Sequence, residues 1–168
     1  MMMKKSIALC GFMGCGKSTV GKILAEKLNF DFFDSDAEIE TICGASINEI
    51  FKNSGEDYFR QKECEIIKNL SAKNNAVISL GGGAILRSEN LESLKNTIVV
   101  FIDTPFSLIA KRLKGDSSRP LIKNSNEDEI SEIYTKRYPF YKSAADFVVV
   151  ADEDPIKTAD KIISFYGG

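Results

Sequence analysis

The sequence predicts an α/β fold, a central five-stranded parallel sheet with helices on both faces. Three observations predict it. Short apolar runs alternate with stretches of helical period along the whole chain. The runs are short and almost wholly apolar, as strands buried on both faces are. The first of them passes through a Gly-rich loop straight into an amphipathic helix. With 168 residues, 43% of them hydrophobic, the chain can bury one full core but is short for two. A single domain over residues 1–168 is expected, with ligands at the carboxyl ends of the strands.

The elements follow in order. Behind Lys4 and Lys5, the run Ser6 to Cys10 reads as a buried strand, and after the loop Val20, Ile23, Leu24 and Leu28 repeat at helical spacing. Asp31-Phe32-Phe33 is a second strand. A short helix from Ala37 to Cys43 is introduced by the capping box Ser35-Asp36-Ala37-Glu38. Another helical stretch follows, and Gly55 opens a longer one whose Phe59, Ile66, Ile67 and Leu70 share a face. Ala76 to Leu80 is a third strand, ending in Gly81-Gly82-Gly83, and Thr97 to Ile102 is a fourth. The fourth runs into Asp103-Thr104-Pro105, with Thr104 expected as N-cap and Pro105 as first helical residue of a helix ending near Gly115. The composition then turns polar to Glu129, and a flexible lid is expected over about residues 115–126. A helix over about Glu129 to Ala144, a fifth strand Phe147 to Val150 and a last helix after Asp154-Pro155 complete the chain, with no internal repeat.

Charge and cysteine content narrow the function classes. Basic and acidic residues number 22 and 24, a net charge of -2, which argues against a broad nucleic-acid footprint. No apolar run reaches membrane-spanning length, and glycines interrupt the only patch resembling a secretion signal. Cys10, Cys15, Cys43 and Cys64 lack C-x-x-C spacing and there is no histidine, so the thiols are expected to be reduced in a cytoplasmic protein. Cys15 has two readings, a thiol open to oxidation or an inert spacer.

The loop Gly11 to Thr19, Gly-Phe-Met-Gly-Cys-Gly-Lys-Ser-Thr, contains G-x-x-x-x-G-K-[ST], the pattern of a P-loop NTPase. Its glycines let successive N–H groups turn inward around a phosphate. Lys17 adds a point charge, the helix N-terminus adds its dipole, and the Ser18 hydroxyl is placed for Mg²⁺. The loop implies a nucleoside triphosphate.

Other candidates fall at strand ends or in the expected lid. If strand geometry continues through Ser35, the Asp34 and Asp36 carboxylates point to one side, one for Mg²⁺ and one for a hydroxyl; alternatively Asp34 is a turn residue and Asp36 favours the helix dipole. Asp103 is a rival metal carboxylate, with a structural role in the helix start as the alternative. Arg60, Arg119 and Arg137 each look alone like solvated surface charges. Together with the loop, two of them can grip a carboxylate and the third can neutralise a transferring phosphoryl group from the lid. Gly81 to Gly83 are either a close-approach loop for a small ligand or a plain strand exit.

The phosphate loop, Phe33-Asp34-Ser35-Asp36, Phe59-Arg60, Ser79 to Ala84, Arg119-Pro120-Leu121 and Arg137-Tyr138-Pro139 occur in an order and spacing that resemble shikimate kinases over nearly the whole chain. The resemblance implies a nucleoside-monophosphate-kinase-like fold and ATP-dependent phosphorylation of the shikimate 3-hydroxyl on the chorismate route. It implies that Gly14, Cys15, Gly16, Lys17, Ser18 and Thr19 bind ATP, with Arg112 and Pro155 flanking adenine and Arg119 closing over the phosphates. It further implies that Ser18 and Asp34 hold Mg²⁺, Asp34 through water, with Asp36, Lys17 and Arg119 catalytic. Asp36, Arg60, Gly82 and Arg137 would bind shikimate, and Phe51 and Phe59 would form apolar walls. A monomer with small-molecule substrates and neither nucleic-acid nor membrane partner is expected. A gluconate kinase or nucleoside monophosphate kinase fits the triple glycine and the aspartate pair less well. A P-loop switch that binds ATP without phosphorylating a metabolite is the reading from a different class.

Overall fold

The computed structural model describes residues 5–114, 116 and 124–167. Five strands, β1 (Ile7–Cys10), β2 (Asp31–Asp34), β3 (Ala76–Ser79), β4 (Ile98–Asp103) and β5 (Phe147–Val150), form one sheet in the order β2-β3-β1-β4-β5. All four pairings are parallel, and Ile7 sits in register with Val77 on one side and Ile98 on the other. Every residue of β1 and β3 is buried, which requires helices over both faces. Among the described residues seven helices supply them: α1 (Lys17–Leu28), α2 (Ser35–Cys43), α3 (Ile47–Ser71), α4 (Ser88–Ser93), α5 (Phe106–Leu113), α6 (Glu127–Ala144) and α7 (Pro155–Tyr166). The chain runs from β1 out to the edge strand β2, returns to β3 beside β1, and then crosses to β4 and β5 on the other side. A crevice therefore opens at the carboxyl end of β1, where the phosphate loop lies.

Several expected boundaries move, each for a local reason. The capping box at Ser35 does not form. Asp34, extended at φ -112°, caps α2 one residue earlier and accepts the N–H groups of Asp36 and Ala37 at 3.0 and 3.2 Å. Ser35 is then the first helical residue, and its buried hydroxyl accepts the Gly81 N–H at 3.0 Å. Strand geometry therefore stops at Asp34, and the expected two-residue alternation of Asp34 and Asp36 does not hold. Gly55 does divide the helical region before Ser71: its φ of 82° and ψ of 170° interrupt α3, whose start is fixed by a Ser46/Glu49 capping box. At α5 the N-cap is Pro105, not Thr104, because the Thr104 hydroxyl is drawn inward to the Cys15 carbonyl at 3.1 Å. An Asn126/Glu129 capping box starts α6 at Glu127, two residues before the expected place. The 3₁₀ turn Ala84–Leu86 and the six-residue α4 have no periodic signature in the sequence. Residues 115 and 117–123 of the expected lid, with Arg119 among them, lie outside the described residues.

Candidate active site

The phosphate loop is shaped by three glycines in backbone conformations that a side chain disfavours, Gly11 at φ 147°, Gly14 at φ 77° and Gly16 at φ 97°. Lys17 is buried at 8% exposure, its Nζ donating to the carbonyls of Gly11 and Phe12 at 2.8 and 3.1 Å. Its charge is thus held inside the cradle. Arg112 Nη1 donates to the Gly14 carbonyl at 3.0 Å and Thr104 to that of Cys15, so α5 and the end of β4 brace the loop. Cys15 is 2% exposed, which favours the inert-spacer reading over an oxidisable thiol.

At the start of α1 the Ser18 hydroxyl donates to Asp34 Oδ2 at 2.6 Å, while Asp34 Oδ1 caps α2. Asp34 thus caps α2 with one oxygen and holds the Ser18 hydroxyl with the other. Asp34 and Asp36 meet in one cavity of about 170 Å³ despite the failed alternation, and Lys17, Ser18, Thr19 and Ser79 line it as well. Among the described residues no three His, Cys, Asp or Glu side chains cluster as a metal cage. A hydroxyl and one carboxylate beside a phosphate cradle is instead a donor set suited to Mg²⁺, which keeps waters and shares substrate phosphates. Asp103 does not cap the start of α5; its carboxylate accepts the Tyr138 hydroxyl at 2.8 Å. That bond, more than burial, pushes the Tyr138 pKa up to about 12.

Side chains from three helices converge on the triple glycine. A β-carbon placed on Gly81 would lie 2.7 Å from Asp36 Oδ1 and 3.0 Å from Glu63 Oε2. On Gly83 it would lie 2.7 Å from Arg60 Nη2, and on Gly82 it would lie 3.6 Å from Arg137 Nη1. None of the three glycines has a positive φ, so their role is to leave room for neighbouring side chains. The structure thereby joins Asp36, Arg60 and Arg137 around one loop. Arg60 is ion-paired to Glu63 at 2.8 Å and Glu56 at 3.5 Å and lies over the Phe59 ring, which packs on Phe51 with centroids 4.8 Å apart. Burial opposes the Arg60 charge, but the two carboxylates outweigh it and raise its pKa. Glu63 is fully buried, and burial raises its pKa against the lowering influence of Arg60.

Sequence reasoning missed Glu63, which reads there as an ordinary helical surface pair with Arg60. It also missed Ser79 beside Ser18, the inward use of Ser35 and Thr104, and the hydroxyl of Tyr141. Its place on the apolar face, four residues after Phe59 and three and four before Ile66 and Ile67, was the available signal for Glu63.

On the other side of the phosphate loop a second cavity, about 310 Å³, is lined by Gly14, Cys15, Gly16, Thr19 and Val20 together with Arg112, Pro155 and residues 151–153 and 158. It unites Arg112 and Pro155 from α5 and α7. Asp154 caps α7 by accepting the Ile156 N–H at 2.9 Å, and Asp152 N–H donates to the Thr158 hydroxyl at 2.9 Å, fixing that wall. The two cavities share Gly14, Gly16 and Thr19, so both open onto the phosphate loop. No helix among the described residues is long and apolar enough to cross a membrane.

The family profile for shikimate kinase matches residues 13–166. A shikimate kinase from Persephonella marina is 43% identical over 160 residues, covering 95% of this chain and 97% of that protein. Among solved structures, a shikimate kinase from Acinetobacter baumannii in complex with shikimate is 37% identical with a TM-score of 0.93, covering 96% of this chain and 92% of the other. The shikimate kinase of Aquifex aeolicus is 41% identical with a TM-score of 0.86, covering 97% and 96% respectively.

Proposed function

The chain belongs to the shikimate kinase family, and from that membership we propose how its residues transfer the γ-phosphoryl group of ATP to the 3-hydroxyl of shikimate. The products are 3-phosphoshikimate and ADP, on the chorismate route to aromatic amino acids. The backbone of Gly14 to Thr19 and the Lys17 ammonium hold the phosphates, and Arg112 and Pro155 flank the adenine. Lys17 need only turn from two carbonyls at the loop's inner rim to reach phosphate oxygens. Ser18 and, through water, Asp34 would hold Mg²⁺, which supplies charge neutralisation on the phosphate oxygens.

On the acceptor side Arg60 and Arg137 grip the shikimate carboxylate with paired N–H donors, Gly82 meets a ring hydroxyl, and Phe51 and Phe59 wall the ring. Asp36 orients the attacking hydroxyl and accepts its proton as the new P–O bond forms. Arg119 closes over the phosphates from the lid. Catalysis of this kind rests on positioning and charge, so a chain without histidine is not handicapped. A monomer goes with the family resemblance, and four cysteines without C-x-x-C spacing go with a reducing, cytoplasmic setting.

The observation that carries this reading is the approach of Asp36, Arg60 and Arg137 to three successive glycines beside the phosphate cradle. Asp36→Asn is expected to abolish most turnover while leaving ATP binding intact, and Arg60→Ala to raise the shikimate KM selectively. An unchanged kcat in the first, or a defect confined to ATP in the second, removes that residue from its role.

A further inference from the structure

One face of α6 carries tyrosines at 134, 138 and 141, and each hydroxyl is spent on a group at the carboxyl edge of the sheet. Tyr134 donates to the Thr104 carbonyl at 3.2 Å, Tyr138 to Asp103, and Tyr141 to the Gly82 carbonyl at 2.5 Å. Only the last reaches the acceptor site. Tyr141 is fully buried and stacks on Phe101 with centroids 5.4 Å apart, so its ring has one available position. A buried phenol needs a partner. Here the partner is the central carbonyl of the triple glycine, and Arg137 Nη1 lies close by, 3.6 Å from where a Gly82 β-carbon would stand against 3.8 Å for the Tyr141 hydroxyl.

We propose that Tyr141 is a positioning residue for the acceptor, its hydroxyl holding the Gly82 peptide in place beside the Arg137 guanidinium. The proposal rests on the shikimate kinase reading above. With the Gly82 carbonyl held, planarity of the trans peptide fixes the direction of the Gly83 N–H as well. The loop is otherwise held by Ser35 on the Gly81 N–H, by turn bonds from the Ala84 N–H to the Gly81 carbonyl at 3.1 Å and from the Leu86 N–H to the Gly83 carbonyl at 3.2 Å, and by Asn90 Nδ2 on the Ala84 carbonyl at 2.8 Å; none of these reaches the Gly82 carbonyl. Glycines without side chains have no packing of their own to hold them between those tethers. Tyr141 therefore supplies the middle restraint, and it does so from the helix that carries a carboxylate-binding arginine four residues earlier.

The test is Tyr141→Phe, which removes the hydroxyl and keeps the stacked ring. Losing one positioning hydrogen bond of about 1 kcal/mol predicts a shikimate KM raised about three- to tenfold, with the ATP KM unmoved. Amide hydrogen exchange at Gly83, measured without substrate, should quicken. Tyr138→Phe, which removes a neighbouring hydroxyl bonded to Asp103, should leave the shikimate KM at the parent value. Kinetics are read at a temperature where circular dichroism shows both variants folded. An unmoved shikimate KM in Tyr141→Phe, or an equal rise in both KM values, overturns the proposal alone. Absence of shikimate-dependent turnover in the parent overturns the underlying reading and the proposal together.

Discussion

Replacing Gly81 or Gly83 by alanine should split the kinetic constants in opposite ways, because different side chains occupy the space each glycine leaves. At Gly81 the new methyl would stand 2.7 Å from Asp36 Oδ1, about 0.7 Å inside the 3.4 Å edge of ordinary contact. Glu63 Oε2, at 3.0 Å, blocks a second direction. Asp36 must therefore withdraw from the position in which it meets the acceptor hydroxyl. A displacement approaching 1 Å at the reacting atoms costs on the order of 10²-fold in rate, so kcat should fall by about that factor. At Gly83 the methyl would meet Arg60 Nη2 at 2.7 Å and Nη1 at 2.8 Å. Arg60 is anchored by Glu63, so moving it breaks an ion pair and misplaces a carboxylate ligand. A tenfold rise in shikimate KM, equivalent to about 1.4 kcal/mol, is expected there with the ATP KM unchanged. Gly82→Ala meets nothing closer than 3.5 Å and serves as the folding control, its melting temperature equal to the parent's. A coupled ADP-release assay with each substrate varied in turn reads all three. Parent kcat in Gly81→Ala, or a Gly83→Ala defect on the ATP side, would refute the reasoning.

Gly21→Ala should lower the melting temperature, since its β-carbon would press to 2.6 Å from Phe32 Cε2 and 3.2 Å from Leu9 Cδ1. An overpacking cost of about 1–3 kcal/mol exceeds the roughly 1 kcal/mol gained in helix propensity, and a variant as stable as the parent contradicts this. For Glu63→Gln the sign follows from the raised pKa. The native protein binds the extra proton between the ordinary carboxylate value of about 4.3 and the raised one, so the Glu63 contribution is lost as pH rises through the latter. The difference in melting temperature should therefore move in favour of Glu63→Gln as pH rises across that window; movement the other way would mean Arg60 dominates. Thiol titration at pH 8 should modify Cys43 and Cys64 in the native protein and leave the buried pair until denaturation, with Cys10 further protected by burial that pushes its pKa up to about 12. Rapid native labelling of four thiols would contradict the packing around the phosphate loop.

The phosphate loop was legible because its chemistry demands residues with local signatures: glycines where φ is positive, then a lysine and a hydroxyl at a helix start. The strands were legible for a similar reason, as full burial writes continuous apolar runs. Arg60 and Arg137 were not legible one at a time. A guanidinium inside a charged pocket and one in solvent have the same sequence neighbourhood, and only the order of motifs shared with a family separated them. Glu63 shows the limit most clearly, since an acid three residues after an arginine is the commonest of surface pairs, yet it is fully buried. The misplaced cap of α2 has a different origin. Ser35-x-x-Glu38 matches the capping pattern, but Asp34 was free to cap first while Ser35 was needed by Gly81, a contact 46 residues away in sequence. Tyr141 carries no signal of its own in the sequence; that its hydroxyl ends on Gly82 is visible only in three dimensions.

The central claim is that Asp36, Arg60 and Arg137, gathered around the triple glycine, select the acceptor. ADP release with Mg-ATP, compared at equal concentrations of shikimate, gluconate, AMP and no acceptor, tests it most directly. Release with shikimate alone is the predicted result; release with another acceptor, or none with any, would contradict it.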